Sequence, residues 1–390
     1  MFENIIGHSQ TVSQLSRELK EGSFPSSVLI SGPPYAGKLT MALEISRVLS
    51  CEREAAWDCP CDSCRRQRLL LEPLTLVVGP KRFLQEIRAS WDTLMRAPGV
   101  ATRFLFVRAV RKLTRRFDPV LWEGEEGKVR QAFDLVAEIT ELLEGFYPSS
   151  EGGELGEGLV KAGERILGFC RKLEAFVPRD GVPVAMVRRI LSSVHLSSSR
   201  TPHVVIVEHA DTLQEASRNA LLKELEEPPA GTYFILLTRR RTAIIPTILS
   251  RVRHYQLFER STEEMRGVLA RIFRLANPPE HLSAFFHQFS ALEEEGLAAK
   301  ARGFVRMLVG AASFDSSLLD VPREEWEAWY EVALDELSSF LPSSHAGEVE
   351  QVSRLLSRAC FRVRDLNMNP QTVLEALFLE RELAYSGGRP

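Results

Sequence analysis

Val204-Val205-Ile206-Val207 is an unbroken run of four β-branched residues. That is the pattern of a strand buried on both faces, as in a parallel sheet. Glu208, His209 and Asp211 stand at its C-terminal end. A helix is expected over about Gln214 to Glu227, where Leu213, Ala216, Ala220, Leu221 and Leu225 recur at helical spacing. Pro228-Pro229 ends it, because proline cannot continue the hydrogen-bond ladder. Tyr233 to Leu237 reads as a second buried strand ending at Thr238. Strand, helix, strand with a polar group at each strand end is half of a doubly wound α/β sheet. Ligands in such sheets bind beyond the carboxyl ends of the strands.

The other half should carry a phosphate loop. Ser27-Val28-Leu29-Ile30 reads as a strand, and Gly32-Pro33-Pro34-Tyr35-Ala36-Gly37-Lys38-Leu39 follows directly. The working pattern is G-x-x-x-x-G-K-[ST]. Gly32 and Gly37 let backbone N–H groups close on phosphate oxygens at a helix N-terminus. Lys38 would reach the terminal phosphates. The next position calls for a hydroxyl to bind Mg²⁺, and here it holds Leu39. Thr40 cannot take over, because one helical step turns the side chain by ~100°. The loop keeps a phosphate cradle and loses its metal ligand.

Cys51, Cys59, Cys61 and Cys64 are four of the six cysteines. Four thiolates in one short loop match a closed, structural zinc site, in a reducing compartment rather than a disulfide framework. Cys59 and Cys61 are separated by Pro60 alone, and so tight a chelate leaves open whether all four bind. Free thiols are the alternative. The length of 390 residues allows two or three domains. Hydrophobic and charged contents of 44% and 26% suit a soluble globular chain. A net charge of −3 argues against a free-standing nucleic-acid binder, though not against one basic face. No apolar run approaches the ~20 residues of a membrane span, and MFENIIGHSQ lacks a signal pattern. A cytoplasmic protein without a membrane partner is expected.

The phosphate loop, NALLKELEEPP (Asn219 to Pro229) and TILSR (Thr247 to Arg251), in that order, resemble the AAA+ subunits of the bacterial DNA polymerase III clamp loader. The resemblance covers about Met1 to Val78 and Gly181 to Phe258. It implies an AAA+ P-loop parallel-sheet module over 1–258, with a zinc module near 51–64 and a helical insertion near 80–180. A helical lid (259–315) and an all-α collar (316–390) follow. Phe2, Ile5, Ile6 and Gly7 would lie against the nucleotide base, and Leu69 to Val78 would be the next strand. Active members end the strand at 208–209 with Asp then Glu, one for the metal and one for the attacking water. Here those places hold Glu208 and His209. With Leu39, the erosion implies no intrinsic ATP hydrolysis and leaves ATP binding open. Thr238 takes the place of the sensor that reads the γ-phosphate. Ser250-Arg251 stands where the family carries S-R-C, so Arg251 would reach a neighbouring subunit's ATP in trans. The family's zinc module usually spaces its last three cysteines C-x-x-C-x-x-C, unlike this chain.

The implied partners are the gamma/tau and delta subunits, the sliding clamp, and primer-template DNA through the complex, in the nucleoid-associated replisome. A hydrolysing gamma/tau-like motor is the alternative, opposed by Leu39, His209 and the lack of an early K-Y-R-P stretch. A zinc-containing DNA binder outside the replisome is the third reading.

The insertion reads as several helices, with loops near Pro98-Gly99, Gly124 and Pro148 to Gly158. Its charge is segregated, from Lys81, Arg82, Arg88, Arg96, Arg103, Arg108, Arg111, Lys112, Arg115 and Arg116 to a later acidic set between Glu123 and Glu157 that includes Glu151 and Glu154. With Trp91, Phe104 and Phe106 the basic part could touch DNA, but a solvated bundle with mutually attracting halves is the favoured expectation. Val182 to Leu191 resumes the family's helix. Arg239, Arg240 and Arg241 read as a solvated or partner-facing loop. Ser261 is a plausible N-cap for the first lid helix, and Arg302 and Arg306 are guesses for a lid arginine.

Overall fold

The computed structural model describes residues 1–80, 83–147, 155–178, 181–196, 201–321, 326–339, 346–364, 366 and 368–386. Lys81, Arg82, Glu151, Glu154 and most of the loop expected near Pro148 lie outside them. The chain forms two compact units, Met1–Phe289 and Ser290–Pro390.

The first unit is α/β. Its strands are β1 (Ser27–Ser31), β2 (Thr75–Val78), β3 (His203–Val207), β4 (Thr232–Thr238) and β5 (Arg253–Gln256), in the order β2-β3-β4-β1-β5. All pairs are parallel, with Val205 opposite both Leu76 and Phe234, and Val28 opposite Ile235. Every residue of β1, β2 and β3 is buried, as unbroken apolar runs require when both faces are covered. β5 is an edge strand of sequence RHYQ with only Tyr255 buried, too polar to be read as a strand from pattern. The expected strand from Leu69 shortens to Thr75–Val78. Leu70 takes a left-handed φ of 55° at the end of helix Asp62–Arg68, and Pro73 follows before the chain can extend.

The alternation of the strands sends side chains to two cores. On one face Val28, Ile30, Val204, Ile206, Ile235 and Leu237 pack with Leu15 of helix Ser9–Lys20 and Met41 and Ile45 of helix Lys38–Leu49. On the other, Leu29, Leu76, Val78, Val205, Val207 and Phe234 share one core with the insertion. Helices Leu84–Arg96, Val100–Thr114, Glu126–Glu144 and Glu157–Glu174 all bury residues in it. Trp91, Phe106 and Phe146 form its aromatic centre, with ring centroids 5.1–6.1 Å apart.

This corrects the expectation of a solvated basic set for part of the insertion. Several of its described basic residues pack inward, while Arg96 is exposed. Arg103, Arg111 and Arg116 are buried. Arg115 donates to Glu72 O at 3.0 Å and Thr75 O at 2.7 Å, and Arg108 to Arg68 O at 2.6 Å. Phe106 is fully buried. Arg108 and Arg115 thus satisfy main-chain carbonyls, Arg116 a carboxylate and Arg111 the Tyr147 hydroxyl.

Helix Thr262–Ile272 starts with a capping box. Ser261 Oγ accepts from Glu264 N–H, and the Glu264 carboxylate accepts from Ser261 N–H. Its Leu269 and Phe273 pack with Ala89 of the insertion, Leu282 and Phe285. In the second unit, Phe304, Leu308, Trp329, Leu356 and Leu374 form the core of a helical assembly that includes Trp326–Ser339, Ala346–Arg364 and Pro370–Ser386. Among the described residues no helix is long and apolar enough to cross a membrane.

Candidate nucleotide and metal sites

The phosphate loop leaves β1 and enters helix Lys38–Leu49. Gly37 is the helix N-cap at a left-handed φ of 84°, and a Cβ there would lie 2.8 Å from Arg260 Nη2. A Cβ on Gly32 would lie 2.6 Å from Leu257 O, so glycine is needed for close approach. Lys38 Nζ donates to Gly32 O at 2.6 Å and Pro33 O at 2.7 Å. The lysine thus bridges the beginning of its own loop. Leu39 is 7% exposed and belongs to the core with Met41, Leu70 and Val77. The position that would offer a hydroxyl to a metal is a core position here.

Glu208 and His209 follow β3. The Glu208 carboxylate is buried and ion-paired with Arg116, which comes from the turn Arg115–Phe117 of the insertion. The Arg116 guanidinium also lies 5.2 Å from the Phe83 ring centroid. Its Nε and Nη1 have no hydrogen-bond partner among the described residues. Burial holds Arg116 below its ordinary pKa, against the attraction of Glu208. The end of β2 approaches closely: Gly79 has φ 122°, and a Cβ there would lie 2.4 Å from Glu208 O.

His209 has a left-handed φ of 52°. Burial keeps its imidazole below the ordinary pKa; Arg239 reinforces this, and Glu208 and Asp211 oppose it. Thr238 ends β4, with Oγ1 2.8 Å from Asp211 Oδ1 and accepting from Arg240 N–H at 3.1 Å. Gly32, Gly37, Lys38, Glu208, His209 and Thr238 therefore gather at the carboxyl ends of β1, β3 and β4.

Two arginines at this end escaped the sequence reading. Arg116 was one of ten basic residues without distinction. Arg260, just before the Ser261 cap, carries no motif. It donates to Ile6 O at 3.1 Å and Tyr35 O at 2.5 Å, across the phosphate loop. Tyr35, at φ 58°, stacks on Phe286 with centroids 5.4 Å apart. His8 Nε2 lies 2.9 Å from Ala36 O. Of the guessed lid arginines, Arg302 is exposed and Arg306 pairs with Glu336 at 2.8 Å in the second unit. Among the described residues, Arg260 is an arginine that touches the phosphate loop.

Arg251 stands apart. It follows the short helix Pro246–Leu249 and is partly exposed. Its Nε and Nη2 donate to Glu226 Oε2 at 2.8 and 2.7 Å, and Nη1 to Thr247 O at 3.0 Å. None of these partners belongs to the phosphate loop. Glu226 is the last residue of helix Glu215–Glu226, so the NALLKELEEPP and TILSR segments meet at this pair.

The cysteine loop closes on itself. The Sγ atoms of Cys51, Cys59, Cys61 and Cys64 all lie within 4.8 Å of one another, with Cys51 Sγ 3.7 Å from Cys59 Sγ and 4.0 Å from Cys61 Sγ. A tetrahedron of sulfurs at ~2.3 Å from zinc has edges of about 3.8 Å, so the donor set fits that metal. Despite the tight chelate, Cys59 and Cys61 both reach the cluster. Cys61 caps helix Asp62–Arg68, its Sγ accepting from Cys64 N–H at 3.4 Å, and Arg53 N–H donates to Cys51 Sγ at 3.3 Å. Three of the four cysteines are buried, and Arg47 lies beside them.

The family described as DNA polymerase III, delta subunit, matches residues 7–75 and 175–261. A DNA polymerase III subunit delta' of Yersinia pestis is 34% identical over 80 residues, 20% of this chain and 24% of that one. A DNA polymerase III subunit gamma/tau of Mycobacterium bovis is 44% identical over 69 residues, 18% of this chain and 12% of that one. The chain thus spans about a quarter or less of the length of these two relatives. A solved gamma subunit-related protein of Thermotoga maritima aligns over 95% of this chain and 98% of that one at 14% identity and a TM-score of 0.38. The matched segments hold the phosphate loop, the cysteine cluster, the strand-end residues and Arg251, while residues 76–174 fall between them. Through residues 7–75 and 175–261 the chain is thus similar to DNA polymerase III subunits of the delta, delta' and gamma/tau kinds.

Proposed function

We propose that this chain is the non-hydrolysing, delta-prime-like subunit of a DNA polymerase III clamp loader. The observation that carries the reading is the buried Arg116–Glu208 ion pair. A carboxylate at the end of this strand serves catalysis by helping to hold Mg²⁺. Here a guanidinium of the same chain engages it. Leu39 in the core removes the hydroxyl ligand, and a neutral His209 replaces the carboxylate that would activate water. This module binds no catalytic Mg²⁺ and turns over no ATP. Whether ATP or ADP occupies the loop is secondary to that role.

Its contribution is Arg251, presented to the ATP of an adjacent motor subunit. A planar guanidinium delivered in trans stabilises charge on the transferred phosphoryl group. The Glu226 pair holds the arginine until docking. The partners are gamma/tau and delta subunits, with the sliding clamp and primer-template DNA met through the assembly, in the cytoplasm at the replisome. The residues before 259 act as the P-loop domain, 259–315 as lid and 316–390 as collar. Zinc in the cysteine cluster is structural, since four protein sulfurs leave no open position.

The gamma/tau likeness supports a second reading, a motor ATPase. ATP turnover decides between them. The protein alone is expected to show none, and a mixture with motor and delta subunits is expected to exceed the same mixture lacking this chain. Arg251→Ala should lower the mixture's turnover by about 10³-fold or more at the site it serves. Turnover by the isolated protein, abolished by Lys38→Ala, would establish the motor instead.

A further inference from the structure

The cysteine cluster is packed against a buried cation that the proposed function does not use. We propose that Arg47 is a positioning residue of the metal site, donating to the Cys64 thiolate and fixing the cysteine loop to the helix that follows the phosphate loop. The proposal rests on the zinc reading of the cluster.

Arg47 lies on helix Lys38–Leu49 and is 1% exposed. Its fork of five donors is fully used. Nη1 meets Cys64 Sγ at 3.1 Å and Ala56 O at 2.9 Å. Nη2 meets Ala55 O at 2.8 Å and Glu44 Oε1 at 2.6 Å. Nε meets Glu44 Oε2 at 3.1 Å. The guanidinium carbon lies 5.6 Å from the Trp57 ring centroid. Two carbonyls, one indole and one sulfur of the cysteine loop are thus held by one side chain of another element.

The chemistry of the donor set calls for such a group. Four thiolates around a divalent zinc carry a net double negative charge, and burial makes that charge costly. N–H groups aimed at the sulfurs disperse it and fix ligand orientation. Cys61 and Cys51 receive backbone N–H groups. Cys64 is fully buried, and its donor is a full positive charge. Lysine cannot reproduce this arrangement, since a single ammonium cannot reach the sulfur, both carbonyls and Glu44 in the same planar fork.

The competing account is that Arg47 only neutralises Glu44. The two separate in the full-length chain by zinc competition against a chelator, and by the sulfur-to-metal charge-transfer band after cobalt(II) substitution. Arg47→Met leaves Glu44 buried without its partner, so Glu44→Gln/Arg47→Met is measured beside it. Both are expected to bind zinc about 10- to 100-fold more weakly, with a shifted charge-transfer band. Arg47→Lys should fall between, and Glu44→Gln alone should stay near wild type. Wild-type zinc affinity and an unshifted band in the double variant would overturn the proposal while leaving the zinc reading intact. A wild-type chain that takes up no zinc or cobalt would overturn both.

Discussion

Arg116 carries its charge into the core, where an ionised guanidinium is costly unless it is paired or hydrogen-bonded. Glu208 is its partner, and the pair is 3% and 9% exposed on its two side chains. Arg116→Met strands the carboxylate. We expect it to destabilise the first unit by about 3–5 kcal/mol, read as a lower midpoint in denaturant. Arg116→Met/Glu208→Met should recover most of the loss, because removing both charges removes the desolvation cost as well. A double variant as weak as the single one would mean that Arg116 acts by packing on Phe83. The histidines make a second prediction at this scale. Burial keeps His8, His203 and His209 below their ordinary pKa, with Arg260 adding to it at His8 and Arg239 at His209. The unfolded chain, with values near ~6.5, then takes up protons first. Stability is full above that pH and falls as pH drops below it. Thermal scans between about pH 7.5 and 5.5 check the sign, with the His209 share of the slope removed in His209→Gln and the shares of His8 and His203 kept.

The strands and their connecting helices were legible because each had one dominant signal. Val204 to Val207 could only be a doubly buried strand, and Pro228-Pro229 could only end the helix before it. The phosphate loop was legible for the same reason, down to the wrong residue at Leu39. β5 was not, because its polar residues face outward at an edge and only Tyr255 reports the sheet. The insertion misled for a different reason. Its charge pattern is local, whereas the partners that absorb the charge are remote in sequence: Arg116 and Glu208 are separated by 92 positions, and Arg108 meets a carbonyl 40 positions away. No periodicity encodes such contacts. Packing between insertion helices gives a direct test. Gly163, on helix Glu157–Glu174, faces Trp91 so closely that a Cβ would lie 2.1 Å from its ring. Gly163→Ala should cost about 1–3 kcal/mol by overpacking, although alanine has the higher helix propensity. If unfolding showed a net gain, the close approach of the two helices would be refuted.

The family match skips residues 76–174, yet the first unit has no seam at those borders. Leu76, Val205 and Phe234 of the sheet belong to the same core as Val107, Leu113, Ile139 and Ile166 of the insertion. Arg116 reaches from one to the other, and Ala89 carries the insertion into the cluster around Leu269 and Phe285. Domains that share one core unfold together, because neither can keep its apolar surface from water alone. Native-state hydrogen exchange reads this directly. Amides of helix Val100–Thr114 are expected to open with the same free energy, and the same denaturant dependence, as those of β3. An appended domain would exchange at its own, lower free energy while β3 stayed protected. Equal values would mean that the insertion is a structural part of the nucleotide module. The pairing of Arg116 with Glu208 would then be as permanent as the fold itself, a condition that a subunit working without its own ATP cycle can meet and a motor cannot.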